Sequence, residues 1–323
     1  MDQEQFERKR RWAREAVPSM KRRRVGHDYS SRCIYMITLV VKGRKPLLGH
    51  VSGDGINTPA TMQPSPLGQA VLAELDNIHH HFPVIKVIAR QVMPDHLHFI
   101  LFVQESIPVH LSRVISGYKG GCNHHYRSLC QQDHGLTLWE EGFNDRILEG
   151  KGHLQRMMDY IVDNPRRLAI KQHQPRYFEV QRNVTVGDYF FTAIGNIFLL
   201  NAPSRLQVQC TRRLTQEQIA ETRERFLIQA RNGAVLVSPS ISPGEKIVMT
   251  AAMDEGLPTI ILQENGFDEL AKPGGRYFDA CAQGNLLLLA PWHHHNTRET
   301  ITRDQCHALN DMAAAIATQP SLD

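Results

Sequence analysis

The stretch Met93-Pro-Asp-His-Leu-His-Phe-Ile-Leu-Phe-Val103 sets two histidines two residues apart in a run of strand formers. On a strand, alternate side chains leave the same face, so His96 and His98 project together while Leu97, Phe99 and Leu101 turn into a core. Two imidazoles on one sheet face can hold one divalent metal, with most of its coordination sphere left open. Equally, they can be half-buried histidines with ordinary hydrogen-bond partners. A second stretch, Asp159-Tyr-Ile-Val-Asp-Asn-Pro-Arg-Arg-Leu168, bears on that choice. Tyr160 and Asn164 are four residues apart, which puts them one turn apart on one helical face. An amide oxygen suits a hard cation such as Mg²⁺ or Mn²⁺ as a third ligand. The tyrosine then presents its phenol beside that metal. Phosphoryl transfer requires this pairing, because the metal polarises a phosphate oxygen while a fixed nucleophile attacks in line. Without the histidines, Tyr160 reads as a packing residue.

Other groups could hold a polyanion. Lys21, Arg22, Arg23, Arg24, Arg44, Lys119, Arg146, Arg166 and Arg167 are candidates for phosphate contacts. Trp139 and Phe143 are candidates for stacking on unpaired bases, with core packing as the ordinary alternative. For Arg166 and Arg167 the ordinary alternative is favourable charge at a helix C-terminus. The runs His79–His81 and His293–His295 read as surface histidines, since adjacent residues on one element cannot all face one ion. Further on, Ala234-Val-Leu-Val-Ser-Pro-Ser-Ile-Ser-Pro-Gly-Glu-Lys246 is a strand, a turn and a helix start. Amides at such a start can bind an anion, making Ser238, Ser240, Ser242 and Gly244 a candidate anion-binding turn. It is not a Walker loop, because Gly-x-x-x-x-Gly-Lys-Ser/Thr is absent.

These residues need elements to position them. Regular structure is expected to start near Ile34, where Ile-Tyr-Met-Ile-Thr-Leu-Val-Val is rich in strand formers. Residues 43–66 read as turns around a second short strand. Leu67 to His80 carries Val71, Leu75 and Ile78 at helical spacing. Strands are expected at 84–92 and 97–103, a helix over 108–131, and a strand at 143–148. A helix over 154–162 is expected to be limited by Pro165, because proline disfavours the α conformation of the residue before it. Irregular alternation of this kind implies an α+β fold for the front half. The back half alternates strictly: strands at 197–200, 234–237, 259–262 and 286–289, with helices at 215–232, 243–255, 276–282 and 303–317. That rhythm implies a Rossmann-like α/β domain on a parallel sheet, with the boundary near 175–190.

Composition narrows the classes. A chain of 323 residues with 22% charged and 41% hydrophobic residues is ordinary for about two globular domains. No run approaches a membrane span, and residues 1–24 lack the apolar segment of a signal peptide. Six scattered cysteines without a Cys-x-x-Cys pair fit a reducing cytoplasm rather than a disulfide framework. The net charge of +4 is uneven. Residues 1–24 hold nine Lys/Arg against four Asp/Glu, residues 25–178 hold 16 against 13, and residues 179–323 hold 12 against 16. The basic front half therefore suggests nucleic-acid contact, and the acidic back half a different task.

Met93-Pro-Asp-His-Leu-His98, then Leu138-Trp-Glu-Glu-Gly-Phe-Asn-Asp-Arg-Ile-Leu148, then Tyr160-Ile-Val-Asp-Asn-Pro-Arg-Arg-Leu-Ala169 occur in that order. Together with Tyr35-Met-Ile-Thr-Leu-Val-Val-Lys-Gly-Arg44, they resemble the REP-associated tyrosine transposases, a branch of the single-tyrosine HUH transposases, over about residues 30–178. The resemblance implies an antiparallel, ferredoxin-like sheet with flanking helices. By position, His96 and His98 match the metal-binding histidine pair, Tyr160 the nucleophile, and Asn164 the polar residue that completes the metal site. It also implies Mg²⁺ or Mn²⁺ as cofactor and single-stranded or hairpin DNA as partner, cleaved to a 5′-phosphotyrosine and a free 3′-OH. Met36 stands where that family often has a histidine or other polar residue. The back half resembles the Rossmann-like domain of the DNA-processing protein A family in its serine-rich turn and Thr259-Ile-Ile-Leu262, without that family's usual glycines and basic residues.

The organisation expected is therefore a basic arm at 1–29, an HUH domain at 30–178 and a Rossmann-like domain at 185–323. The activity expected is that of a metal-dependent single-strand endonuclease and strand transferase. A non-cleaving hairpin binder and a metal-dependent hydrolase using activated water stand as alternatives. Monomer and homodimer are both open.

Overall fold

The computed structural model describes residues 23–131, 135–211, 213–269, 271–297 and 299–318. Lys21, Arg22 and the rest of the basic segment before them lie outside the described residues. Two compact units divide between Ala169 and Ile170. That is upstream of the 175–190 expected, because Ile170 and Phe178 belong to the second unit's core.

The first unit is built on a four-stranded sheet of β1 (Cys33–Val40), β4 (Ile85–Met93), β5 (His96–Val103) and β6 (Asn144–Ile147). Their order is β4-β5-β1-β6, and every neighbouring pair is antiparallel. With α1 (Pro66–His81) and α2 (Leu111–Leu129) as crossovers, this is the ferredoxin-like arrangement. Residues 43–66 hold a hairpin of two short strands, β2 (Gly49–Ser52) and β3 (Thr61–Pro64), where one strand was expected. Alternation along β1 explains the layering. Tyr35, Ile37 and Leu39 join Leu97, Phe99 and Leu101 in a core with Val71 and Leu75 of α1 and Val114 and Ile115 of α2. Met36 and Ile100 leave the opposite face and pack with Leu154, Met157, Met158 and Ile161 of α3 (His153–His173).

Helix α3 runs through Pro165 rather than stopping before it. An interior proline removes one hydrogen bond and clashes with the preceding turn, at about 3 kcal/mol. Here Asn164, Pro165, Ala169 and Ile170 are all buried, and packing of the far segment outweighs the local penalty.

The second unit has a six-stranded sheet in the order β7-β8-β12-β11-β10-β9. Its parallel part is β9 (Arg205–Gln207), β10 (Val235–Ser238), β11 (Thr259–Leu262) and β12 (Leu286–Ala290). An antiparallel hairpin of β7 (Gln181–Val186) and β8 (Tyr189–Gly195) extends it beside β12. The sheet is therefore mixed, not purely parallel. The expected strand at 197–200 is instead a 3₁₀ turn, started by the Phe198 N–H donating to the Asn196 side chain. Gly195 allows the hairpin to join: a Cβ there would collide with the Leu286 carbonyl. Helices α4 (Gln216–Arg231), α5 (Pro243–Asp254) and α6 (Arg276–Ala282) cover one face through Leu236, Ile261 and Leu288. Helix α7 (Arg303–Thr318) covers the other through Val235, Val237, Ile260 and Leu287. Burial on both faces is the reason these strands read as continuous apolar runs. The fold class is thus α+β: a ferredoxin-like sheet with flanking helices followed by a Rossmann-like domain. Among the described residues, no helix is long and apolar enough to cross a membrane.

Candidate functional site

Strand pairing brings Thr38 opposite His98 and Val40 opposite His96. The two imidazoles share the face that carries Met36, with ring centroids 4.7 Å apart and nearly perpendicular. The Nδ1 of His96 donates to Asp95 Oδ1 at 2.6 Å, since an ionised carboxylate only accepts. Asp95 also accepts from the Arg44 guanidinium at 3.1 Å. Burial pushes the Asp95 carboxyl up, but the His96 hydrogen bond and charge and the Arg44 guanidinium outweigh it and hold it below the usual range. The Nδ1 of His98 lies 2.8 Å from Thr38 Oγ1. Burial, followed by the neighbouring His96 charge, pushes the His98 imidazole down to about 3, so the ring is neutral near pH 7. Among the described residues, neither Nε2 has a hydrogen-bond partner. Asp95 and Thr38 were not singled out from the sequence. Asp95 is adjacent to His96, but Thr38 becomes visible only through the β1–β5 register.

From α3, Tyr160 brings its ring to 5.9 Å from that of His98, edge to face. The tyrosine is 39% exposed, while Ile161 beside it is buried. Met36, Thr38, His98, Arg146, Met157 and Tyr160 border a cavity of about 370 Å³. Asn164, one turn on, is buried, and its Nδ2 has no partner. Oxygen and nitrogen of an amide are exchangeable assignments, so the orphan atom is a polar group of either kind. Among the described residues, no group of three or more His, Cys, Asp or Glu is placed to hold a metal ion.

The basic candidates divide sharply. Arg23 pairs with Asp145 at 3.2 Å, and its guanidinium lies 3.5 Å from the centre of the Phe143 ring. Tyr29 also donates to Asp145, at 2.8 Å, and Arg24 reaches Glu149 at 2.6 Å. Arg166 and Arg167 share Asp163, at 2.6 and 3.7 Å. Lys119 donates to the carbonyls of Glu140 and Gly142, bracing the loop before β6. Arg146, on β6, contacts the Met157 sulfur at 3.6 Å and has no carboxylate partner among the described residues. Trp139 is buried in the core, so base stacking falls away for it. Phe143 is covered by Arg23.

The serine turn of the second unit is not an open anion site. Glu245 is 3% exposed and accepts from the backbone N–H groups of Ile241 and Ser242 on one oxygen and Cys210 on the other. Ser242 caps α5 by accepting from Glu245 N–H, and Ser238 Oγ donates to the Val208 carbonyl while accepting from Ser240 N–H. The protein's own carboxylate occupies the position an external anion would take. Ser242 and Glu245 form a capping box whose Ser-x-x-Glu spacing is readable in the sequence. At this turn, Gly244 packs its backbone against Cys210, where a Cβ would sit 2.8 Å from the Cys210 Cβ. Near the carboxyl ends of β10 and β11 lies a cavity of about 1000 Å³, whose walls mix Lys246 and Arg276 with Glu264 and Glu299.

No family model matches the chain. It is 24% identical over 159 residues to an uncharacterized protein of Haemophilus influenzae, covering 43% of this chain and 83% of that one. Among solved structures, a REP-associated tyrosine transposase bound to a REP hairpin aligns with a TM-score of 0.33 at 17% identity, over 44% of this chain and 72% of that one. The DNA processing protein A of Helicobacter pylori, described for its single-stranded DNA binding mode, aligns with a TM-score of 0.34 at 20% identity, over 43% and 66%. A putative transposase of Deinococcus radiodurans aligns with a TM-score of 0.28 at 18% identity, over 44% and 97%.

Proposed function

We propose that the first unit cleaves and rejoins single-stranded DNA at hairpin-forming repeats, with Tyr160 as nucleophile. The observation that carries this reading is the Tyr160 phenol, half-exposed at the mouth of the cavity it shares with His98. Both imidazoles are oriented from behind by Asp95 and Thr38. The residues fit a divalent ion: His96 and His98 offer two imidazoles whose inner nitrogens are engaged, and Asn164 offers an orphaned buried amide. Mg²⁺ or Mn²⁺ held there would polarise a phosphate oxygen.

The protein's own residues do the rest. The Tyr160 oxygen attacks phosphorus and loses its proton to solvent. The bond from phosphorus to the 3′-oxygen breaks, and that oxygen takes up a proton. The products are a 5′-phosphotyrosine and a free 3′-OH. One phosphoester replaces another, so the reverse attack by a 3′-OH rejoins strands without ATP. Arg146 supplies positive charge beside the cavity for the strand's phosphates.

The test uses labelled single-stranded hairpins from palindromic repeats flanking the gene, with Mg²⁺ or Mn²⁺. An adduct that resists SDS is expected with the wild-type chain and none with Tyr160→Phe. Absence of both cleavage and adduct on every such hairpin overturns the reading. Cleavage that survives Tyr160→Phe without an adduct makes the protein a hydrolase. Tight binding indifferent to metal and to Tyr160→Phe makes it a binder.

A further inference from the structure

We infer that the cavity beside Tyr160 is a slot for one unpaired nucleobase flanking the attacked phosphate, with Met36 and Met157 as its apolar contacts. The inference rests on the reading of Tyr160 as nucleophile and adds a specificity-determining subsite to it.

Three observations converge on that occupant. The first is size and place. About 370 Å³ opens beside the tyrosine and His98, within the range of sites that enclose a small ligand. The second is the lining. Met36 comes from β1 and is almost fully buried, so it presents only a small patch to the cavity. Met157 stands on α3 three residues before Tyr160, hence on the same side of the helix. Thioether sulfurs are polarisable and favour contact with aromatic rings, and methionine adapts its shape to what it covers. Every base presents a π-face to such a contact. The third is charge. Arg146 holds the Met157 sulfur at 3.6 Å and lines the same cavity. Asp145, its neighbour on β6 and also part of the lining, is paired with Arg23 and accepts from the Tyr29 hydroxyl. The rest of the lining, Thr38, His98, Asn144 and Asp145, is polar, so a base covered by the two thioethers would meet hydrogen-bonding groups at its edge while Arg146 takes its phosphate at the rim.

Met36 thereby acquires a reason. A polar side chain at this position would add another hydrogen-bonding group to a floor that already carries Thr38 and His98, whereas methionine leaves this part of it apolar.

The experiment uses the full chain and a library of single-stranded hairpins with randomised flanks. Species captured as SDS-resistant adducts are sequenced to map the cleaved phosphodiester. If the wild-type chain captures nothing, the tyrosine reading itself fails. If it captures adducts, the inference expects base preference at one of the two nucleotides flanking the break. An abasic residue at that position is expected to raise KM about tenfold, the scale of one base–side-chain stack. Met157→Ala should flatten the preference and raise KM on the intact hairpin by a similar factor. Met157→Leu, which keeps an apolar wall, should restore most of it. As a check free of catalysis, 2-aminopurine at that nucleotide should change its fluorescence on binding Tyr160→Phe protein, and less with Tyr160→Phe/Met157→Ala. Adducts with no preference at either flanking nucleotide, or with KM unmoved by abasic substitution and by Met157→Ala, overturn the slot.

Discussion

In the first unit, Asp95 and Thr38 engage the inner nitrogens of His96 and His98 and leave the outer nitrogens and the Tyr160 hydroxyl without partners among the described residues. At the serine turn of the second unit, the donors of Ser240, Ile241 and Ser242 all end on Ser238 or Glu245. Both regions combine polar residues with a sheet, and both looked like sites from residue types alone. The difference lies in whether the protein's own groups already satisfy them. A set of polar groups oriented on one side and open on the other is prepared for a ligand. A set closed on itself stabilises the fold.

Tyr160→Phe is the largest break in that comparison, since it removes the hydroxyl proposed as nucleophile and nothing the fold depends on. Adduct formation should fall below detection while the thermal midpoint and hairpin affinity stay within error. Next comes Glu245→Ala, which strips three backbone donors of their acceptor. At about 1–3 kcal/mol for each buried group left unsatisfied, and with partial relaxation, the loss should be roughly 3 kcal/mol in urea unfolding. Millimolar phosphate should recover part of that stability in the variant and none in the wild type. A wild-type response to phosphate would mean that the turn is open after all. Asp95→Asn should weaken Mn²⁺ binding to the full chain about tenfold in calorimetric titration, by loosening the orientation of His96. An unchanged affinity would separate Asp95 from the site.

A further effect is a pH dependence. His98 is held well below its ordinary value by burial, so the unfolded chain takes up a proton near pH 6.5 that the folded chain refuses until about 3. Its contribution is fully present above pH 6.5 and is lost progressively as the pH falls toward 3. Denaturation midpoints of metal-free protein from pH 7.5 to 5 should decline for the wild type and decline less for His98→Gln.

Much of this was legible in the sequence. The spacing of Val71, Leu75 and Ile78 located α1, and the His-x-His and Tyr160/Asn164 spacings placed each pair on one face. What was hidden depends on tertiary context. Pro165 signals a helix end locally, but buried residues on either side of it carry the helix onward. The Asn196 cap turns a run of strand formers into a 3₁₀ turn. Thr38 acquires its role only from pairing with β5. Glu245 is the instructive case, because the capping-box spacing was present and its carboxylate turned out to be the anion that the serine turn binds.

The ion pairs of the first unit bear on how it would hold a polyelectrolyte. Arg23, Arg24, Arg44, Arg166 and Arg167 each face a carboxylate, and among the described candidates only Arg146 and Lys119 do not. Lys119 is engaged with backbone carbonyls. Counterion release scales with the phosphates neutralised, at about 0.7 per contact on a single strand. Affinity carried by these side chains should therefore fall only shallowly with added KCl, and a logarithmic slope well above about 1 in anisotropy titrations of a chain lacking residues 1–22 would point to other described cations such as Lys42, Arg113, Lys151 and Arg156. A surface with a shallow slope would discriminate mainly by shape and base contacts, and would retain its strand at ionic strengths that strip a lysine-rich binder.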